Sequence, residues 1–192
     1  MSQFYMLKEL KEIGLGGIGR NVLVKNTVQF YTPQNIFLGN NVIIDDYVVL
    51  VAEEEKVTIG NNVHIGPFSG LYGRYGIEIG DYAGISDRVA IYSESDDYSG
   101  QSMTNPTIPM AFKPKYVTGL VRVGEHVIIG TNSTLMPNVT VGEGVAIGAY
   151  TFVKRDCEPW WIYVGNPAKK FMKRHENLLE IKKKYLATRR RR

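Results

Sequence analysis

The chain has 192 residues, 44% apolar and 11% aromatic, which is material for one ordinary domain with its own core. Its net charge is +4, and Arg189–Arg192 alone carries four positive charges, so the rest is close to neutral. That weakens a nucleic-acid reading, which would want a basic face on the folded body, and the four arginines read as a solvated, disordered end. The single cysteine, Cys157, rules out an intramolecular disulfide and favours a reducing compartment. No basic stretch followed by an apolar one opens the chain, and no apolar run reaches membrane-spanning length. The expectation is a cytoplasmic protein without membrane insertion.

Residues 3–13 predict a short amphipathic helix, with Phe4, Leu7, Leu10 and Ile13 on one side and Gly14 as its stop signal. From Ile18 the apolar period changes to six. Ile18, Val24 and Phe30 form a first triplet, followed by Leu38, Ile44 and Leu50, then Ile59, Ile65 and Leu71, then Ile79, Ile85 and Ile91. Val123, Ile129 and Leu135 make the fifth triplet, and Val141, Ile147 and Val153 the sixth. Glycine often follows the ruler residue, and a small or β-branched residue takes the fifth place, as at Val127, Ser133, Val139, Val145 and Thr151. A helix would repeat its apolar residues every 3.6 positions and a half-buried strand every two. A period of six fits neither. It fits a parallel β-helix, in which each block is a short strand and a corner.

Successive triplets begin after steps of eight, nine, eight and thirty-two, and then six. The prediction is a prism of about six three-sided coils over residues 18–158, with every insertion at the same corner. The largest insertion, 92–122, is rich in Ser, Asp, Asn and Pro and must leave the body as an extended loop; long loops in compact domains are usually functional. After Val153 the period stops. Pro159–Tyr163 is an aromatic segment suited to capping an open coil end, 165–169 reads as a turn, and Glu176–Leu186 predicts a terminal helix with Lys182–Lys184 largely in water. The whole reads as one domain, residues 159–192 forming its cap, C-terminal helix and tail.

Three-block coils of this kind resemble the hexapeptide-repeat acyltransferases, and the resemblance runs from Ile18 to about Lys173. It implies an all-β, left-handed parallel β-helix, a handedness that general rules for crossovers would not predict. The segment Val164–Lys169 resembles the C-terminal signature of members that use acyl-coenzyme A. The resemblance implies a homotrimer in which the pantetheine arm lies along the coils between two subunits. Carried over, the contacts are Thr131, Ala149, Lys154, Arg155 and Lys169, with Asn166 in the Asn-Pro turn and Lys173 or Arg174 near the place of a further arginine. Gly130, Gly148 and Ala149 would leave space for a thin apolar arm, and Lys154, Arg155, Lys169 and Lys170 gather positive charge near one coil end. A solvated basic rim would account for the lysines as well.

The family's sugar O-acetyltransferases carry a histidine in the long loop; here the loop has none. A sugar hydroxyl is a very weak acid and needs a placed base, whereas an amine can be served by a carboxylate. Keeping Asp96 and Asp97 without a histidine therefore points to N-acylation. Gly84–Arg88, Tyr92, Asp96–Gly100 and Pro106–Pro109 resemble the N-acyltransferases that act on dTDP-4-amino-4,6-dideoxyglucose in surface-polysaccharide synthesis. That resemblance implies catalytic roles for Ser86 and Asp96, with Asp97 and Tyr98 beside the substrate. Arg74, Arg88 and Lys113 are candidates for the diphosphate. Turn chemistry accounts for Asp96–Tyr98 too, since Asp favours loops, and Ser86 could be a small corner residue.

Two further readings stand beside this one. A carbohydrate O-acetyltransferase would use His126 of a neighbouring subunit as its base, and a non-catalytic β-helical scaffold would use its loop to bind a protein partner. A metal site is not expected, because His64 and His126 occupy the sixth and fourth places of their blocks and would not converge, while His175 lies at the exposed start of the tail helix. Cys157 lies past the last ruler position with no histidine placed to activate it as a nucleophile.

Overall fold

The hexad spacing decides where each segment bends. In the computed structural model, which describes residues 4–189, the eighteen ruler residues form three ladders. The first runs Ile18–Leu38–Ile59–Ile79–Val123–Val141, every pair parallel and in register. The second runs Val24–Ile44–Ile65–Ile85–Ile129–Ile147 and gains a seventh rung at Tyr163. The third runs Phe30–Leu50–Leu71–Ile91–Leu135–Val153. These are the three faces of a prism whose interior the ruler side chains fill. Sixteen of the eighteen are buried. Ile18 and Phe30 are partly buried against the same core, because the first coil has a neighbour on one side only.

The corners explain the rest of the hexad. Its fourth place adopts left-handed backbone at Asn21, Asn41, Asn62, Asn132 and Asn138, with φ between 56° and 62°. Asparagine tolerates that region better than most residues. Arg88 (φ 54°) and His126 (φ 59°) occupy the same place with less suited side chains. The fifth place turns inward. Where it is serine, the buried hydroxyl serves the corner backbone: Ser69 Oγ donates to the Ser86 carbonyl (2.9 Å) and accepts from the Val89 amide (3.2 Å).

Insertions fall only between the third face and the next coil. The largest begins after the strand Ala90–Tyr92 and ends at Val121–Val123, and its root is an antiparallel pair, Glu94–Ser95 with Val117–Thr118. Buried Ser93 fixes the departure, donating to the Tyr72 carbonyl and accepting from the Tyr75 amide, both at 2.9 Å. The excursion is thus a clamped hairpin with a structured far end, which includes a short helix at Met110–Phe112.

Both ends of the prism differ from the sequence expectation. The N-terminal helix α1 spans Leu7–Ile13 and stops at Gly14 in the left-handed region, and residues 4–6, expected within it, are not helical. Phe4 pairs instead with Lys25 in an antiparallel bridge, and the Tyr5 amide donates to the Val24 carbonyl (2.9 Å), so the strand-like entry displaces the first helical turn. Leu10 is the buried residue of α1, while Leu7 is exposed. At the other end coiling continues past residue 158. Cys157 bridges Val141, and Trp161–Val164 adds a parallel strand to the second face, giving six complete coils and part of a seventh. The chain then turns through residues 165–168 and returns as Lys169–Lys173, antiparallel to Trp161–Val164. Helix α2 spans Leu178–Arg189 and lies against the first-to-second edge; Lys182, expected in water, pairs with Glu125 at 2.8 Å. The side chains of the tail Arg189–Arg192 and residue 3 of the expected first helix lie outside the described residues. Among those described, no helix is long and apolar enough to cross a membrane.

Because the core is a stack of single aliphatic layers, truncating one inner rung should cost far more than truncating an end rung. Leu71→Ala, fully buried in the third coil, is expected to lower unfolding free energy by about 2–5 kcal/mol. Ile18→Ala in the half-covered first coil should cost clearly less. Denaturant titration of both variants checks the order.

Candidate active site

Ser86 follows the ruler residue Ile85 and opens the corner between the second and third faces of the fourth coil. Its amide donates to the Ile129 carbonyl (2.9 Å) and its carbonyl accepts from buried Ser69, so the backbone is held from both neighbouring coils. The residue lines a recess of about 450 Å³ with His64, Gly66, Pro67, Gly84, Asp87 and Ile128. The neighbouring Asp87 is held below the ordinary carboxylate range, first by a hydrogen bond from Thr131 and also by Arg88, whose Nη1 donates at 2.8 Å. Arg88 also lies over the Phe68 ring (5.1 Å), which itself stacks on Tyr47 (5.2 Å).

The coils bring four of the expected acyl-coenzyme A residues onto that same edge. Gly130 and Thr131 occupy in the fifth coil the places of Ser86 and Asp87, and Gly148 and Ala149 occupy them in the sixth. A Cβ on Gly130 would lie 2.5 Å from the Ala149 amide nitrogen, so close stacking of coils already demands glycine there, whether or not a ligand passes. The line ends at the turn holding exposed Asn166, whose peptide bond to Pro167 is cis. Lys154, Arg155 and Lys169 converge on a separate recess of about 270 Å³ at the C-terminal end of the prism, with Tyr163 and Cys157. Lys170 is drawn away to Glu158 and lies over Trp161. From Ser86 to the seventh coil is three coil steps, roughly 14 Å at the ~4.8 Å spacing of paired strands.

Asp96 sits elsewhere, in the excursion just beyond the hairpin clamp and off the third-to-first edge. Its Oδ2 accepts from the Asn105 amide (2.9 Å) and its Oδ1 from Lys113 Nζ (3.0 Å). These two donors, the amide first, hold the carboxyl below its ordinary range, and the side chain keeps 30% exposure. Asp97 plays a different part. It accepts from the amides of Ser99, Gln101 and Ser102 and from the Ser99 hydroxyl, and so folds the loop tip. Tyr98 beside it is almost fully exposed. Among the described residues no hydrogen bond joins Ser86 to Asp96; they share a coil but lie on different edges of the prism.

The other nominated cations are already engaged. Arg74 pairs with Glu53 (3.2 Å) and Glu54 (3.3 Å) at the foot of the excursion, and Lys113 is buried against Asp96. His126 belongs to the first-to-second edge. It is 8% exposed, stacks on Tyr82 (4.9 Å) beneath α2, and has its pKa lowered by burial and by the nearby Lys182. Arg174, carried over as a possible phosphate contact, spends its Nη1 on the carbonyls of His126, Gly144 and Val145. Burial pushes the Cys157 thiol up to about 12, which leaves no thiolate at neutral pH. Among the described residues, no three His, Cys, Asp or Glu side chains cluster as metal ligands.

Among the contacts that sequence reasoning missed are Lys113 with Asp96 and Thr131 with Asp87. The second had a signal, since both residues stand third in their hexads on one edge. The first had none, because it depends on how the excursion folds back.

The coils between residues 121 and 155 match the family described as Bacterial transferase hexapeptide (six repeats). Over 173 residues, 90% of each chain, the sequence is 43% identical to dTDP-4-amino-4,6-dideoxy-D-glucose acyltransferase of Escherichia coli. A shorter match, 43% over 65 residues and 31% of each chain, is to a chloramphenicol acetyltransferase of Agrobacterium fabrum. Among solved structures, AntD, an N-acyltransferase from Bacillus cereus in complex with dTDP and 3-hydroxybutyryl-CoA, superposes with a TM-score of 0.95 at 43% identity. That alignment covers 99% of this chain and 100% of AntD, with which the chain shares its left-handed parallel β-helix. The chain belongs to the hexapeptide-repeat acyltransferases, in the group that holds dTDP-4-amino-4,6-dideoxy-D-glucose acyltransferase.

Proposed function

We propose that the protein transfers an acyl group from acyl-coenzyme A, acetyl-coenzyme A in the simplest case, to the amino group of a nucleotide-linked amino sugar such as dTDP-4-amino-4,6-dideoxyglucose. The observation that carries the reading is the full-length likeness at 43% identity to acyltransferases of that kind, one of them solved with that amino sugar and coenzyme A. Variants of AntD were solved with a serine or an aspartate replaced, the two lying ten positions apart, as Ser86 and Asp96 do here. The setting is synthesis of a surface polysaccharide such as O-antigen in the cytoplasm.

In this mechanism both substrates are bound together. The free amine attacks the thioester carbonyl, the C–N bond forms, and the C–S bond breaks. One amine proton ends on the departing sulfur, and the ammonium proton shed beforehand goes to solvent. Asp96 is ionised throughout the neutral range and keeps lone pairs free of its two internal donors, so it suits an ammonium or amine that must be oriented and relieved of a proton. Ser86 offers a hydroxyl to the same nitrogen, and a backbone N–H of the corner stabilises the oxyanion. Thr131, Gly130, Gly148 and Ala149 line the path of the pantetheine arm, while Lys154, Arg155 and Lys169, with Asn166 in the adjoining turn, receive its phosphates. Arg88 and Tyr98 are left for the nucleotide sugar, with Asp97 shaping the loop that carries it.

Since Ser86 and Asp96 lie on different edges, the excursion of one subunit reaching the Ser86 edge of a neighbour would unite them. Leu23, Ile43 and Ile128, exposed on the outer side of the second face, support burial against a neighbour of this kind. The reading is therefore of a homotrimer with sites between subunits. For the O-acetyltransferase reading His126 would have to act as base, yet it is 8% exposed, stacked on Tyr82 and covered by α2. A non-catalytic scaffold has no use for the basic recess at the C-terminal end of the prism.

With acetyl-coenzyme A and dTDP-4-amino-4,6-dideoxyglucose, Asp96→Asn should lower kcat/KM by about 10²-fold or more, read as free thiol release. Turnover near wild type would remove Asp96 from the mechanism, and loss of activity with His126→Ala alone would favour the hydroxyl-directed reading. Light scattering should give three times the chain mass, 21.6 kDa. A monomer would sink the intersubunit site.

A further inference from the structure

Lys113 is an unusual lysine. Its side chain is 4% exposed, although lysine is almost never fully buried unless paired, and its ammonium lies 3.0 Å from Asp96 Oδ1. It closes the short helix Met110–Phe112, seventeen residues after Asp96, and comes back to it because the clamp of Glu94–Ser95 with Val117–Thr118 folds the excursion on itself. The Tyr116 ring lies 5.1 Å from the same ammonium. Tyr116 in turn is hydrogen-bonded to Glu94 and lies near Asp96 and Tyr75, and Glu94 faces Arg74 of the preceding coil. No phosphate could reach the Lys113 ammonium without displacing this packing.

We propose that Lys113 is a positioning residue for the transfer reaction, fixing the orientation and charge of the Asp96 carboxylate from inside the excursion so that its outer lone pairs meet the substrate amine. The proposal rests on the reading of Asp96 as the amine's partner. It replaces the diphosphate contact that the sequence alone would give Lys113. Each Asp96 oxygen carries one internal donor, the Asn105 amide on Oδ2 and Lys113 on Oδ1, which leaves each a second acceptor direction toward solvent. The two donors together define a single rotamer. Without the lysine only the amide remains, and the carboxylate can swing about it. A carboxylate with a cation behind it is also a weak proton store, so Asp96 serves chiefly to hold the nitrogen in line with the thioester, where misplacement is costly.

The test compares wild type with Lys113→Met, which keeps the buried stem and removes the charge, and Lys113→Gln, which keeps a donor without it. Thermal melting and the KM for acetyl-coenzyme A report that each variant is folded. The expected result is a loss of about tenfold to a hundredfold in kcat/KM for dTDP-4-amino-4,6-dideoxyglucose, carried mainly by kcat and smaller for Gln. The affinity for dTDP alone should not change. Removing the cation lets the Asp96 pKa rise toward the ordinary carboxylate range, so the ratio of variant to wild-type kcat/KM should stay level from about pH 8 to 5 and fall as the pH is lowered to about 4. A loop-packing role alone would leave that ratio flat. Weakened dTDP binding with a flat ratio would instead make Lys113 a diphosphate contact, and kcat/KM within twofold of wild type in a folded Met variant would overturn the proposal outright. Asp96→Asn, run beside these, separates the two failures. If it is active, the reading of Asp96 fails; if it is impaired while Lys113→Met is not, only the assignment of Lys113 fails.

Discussion

Everything in this molecule depends on the backbone hydrogen bonds between successive coils. Ser86 donates to Ile129 at 2.9 Å, Gly130 to Ile147 at 2.8 Å, and Gly148 to Tyr163 at 2.8 Å, and so along each face. Because neighbouring coils sit one strand spacing apart, equivalent hexad places fall into vertical files, and each file has one chemical task. Ruler files fill the interior, fourth-place files bend the backbone, and the file through Gly66, Ser86, Gly130 and Gly148 runs straight along one edge. A change of one residue in any block would throw the following places out of file. The tolerance for extra residues at a single corner is what lets a long excursion exist without disturbing the edge opposite.

Most of that order was legible in the sequence, since a period read from side chains is enough when stacking is regular. The ladders Leu38–Ile59–Ile79 and Leu71–Ile91–Leu135 join the residues the spacing pairs, across the longest insertion included. The ends were less legible because they break the rule that made the middle readable. Phe4 answers to an edge carbonyl and amide, not to helical amphipathicity, and Trp161–Val164 extends the second face although its hexad signature is gone.

The site divides in the same way. Residues on the coil edge, from Ser86 through Thr131 to Ala149, follow from their places in the hexad. Residues in the excursion do not, since no period governs 93–120 and partners there are chosen by a hairpin's return. The sequence could nominate Asp96 for its chemistry and Lys113 for its charge. It could not show that each is the other's partner, and a charge spent on an internal ion pair is no longer available to a phosphate. Arg74, held between Glu53 and Glu54, makes the same point.

The two closures of the prism have a consequence for solubility. A stack of parallel strands ends in rows of unpaired amides and carbonyls, a template on which another chain could continue the stack. At one end the Phe4–Lys25 bridge and the plug of Leu10 occupy part of that row. At the other, Lys169–Lys173 runs backwards beside Trp161–Val164 and lays four lysines or arginines, Lys169, Lys170, Lys173 and Arg174, along the outermost strand and just beyond it. A reversed final strand presents the wrong direction for a second copy to continue the parallel stack. The molecule can then use a fold that resembles a fibril's repeating unit and still finish as a particle of fixed length.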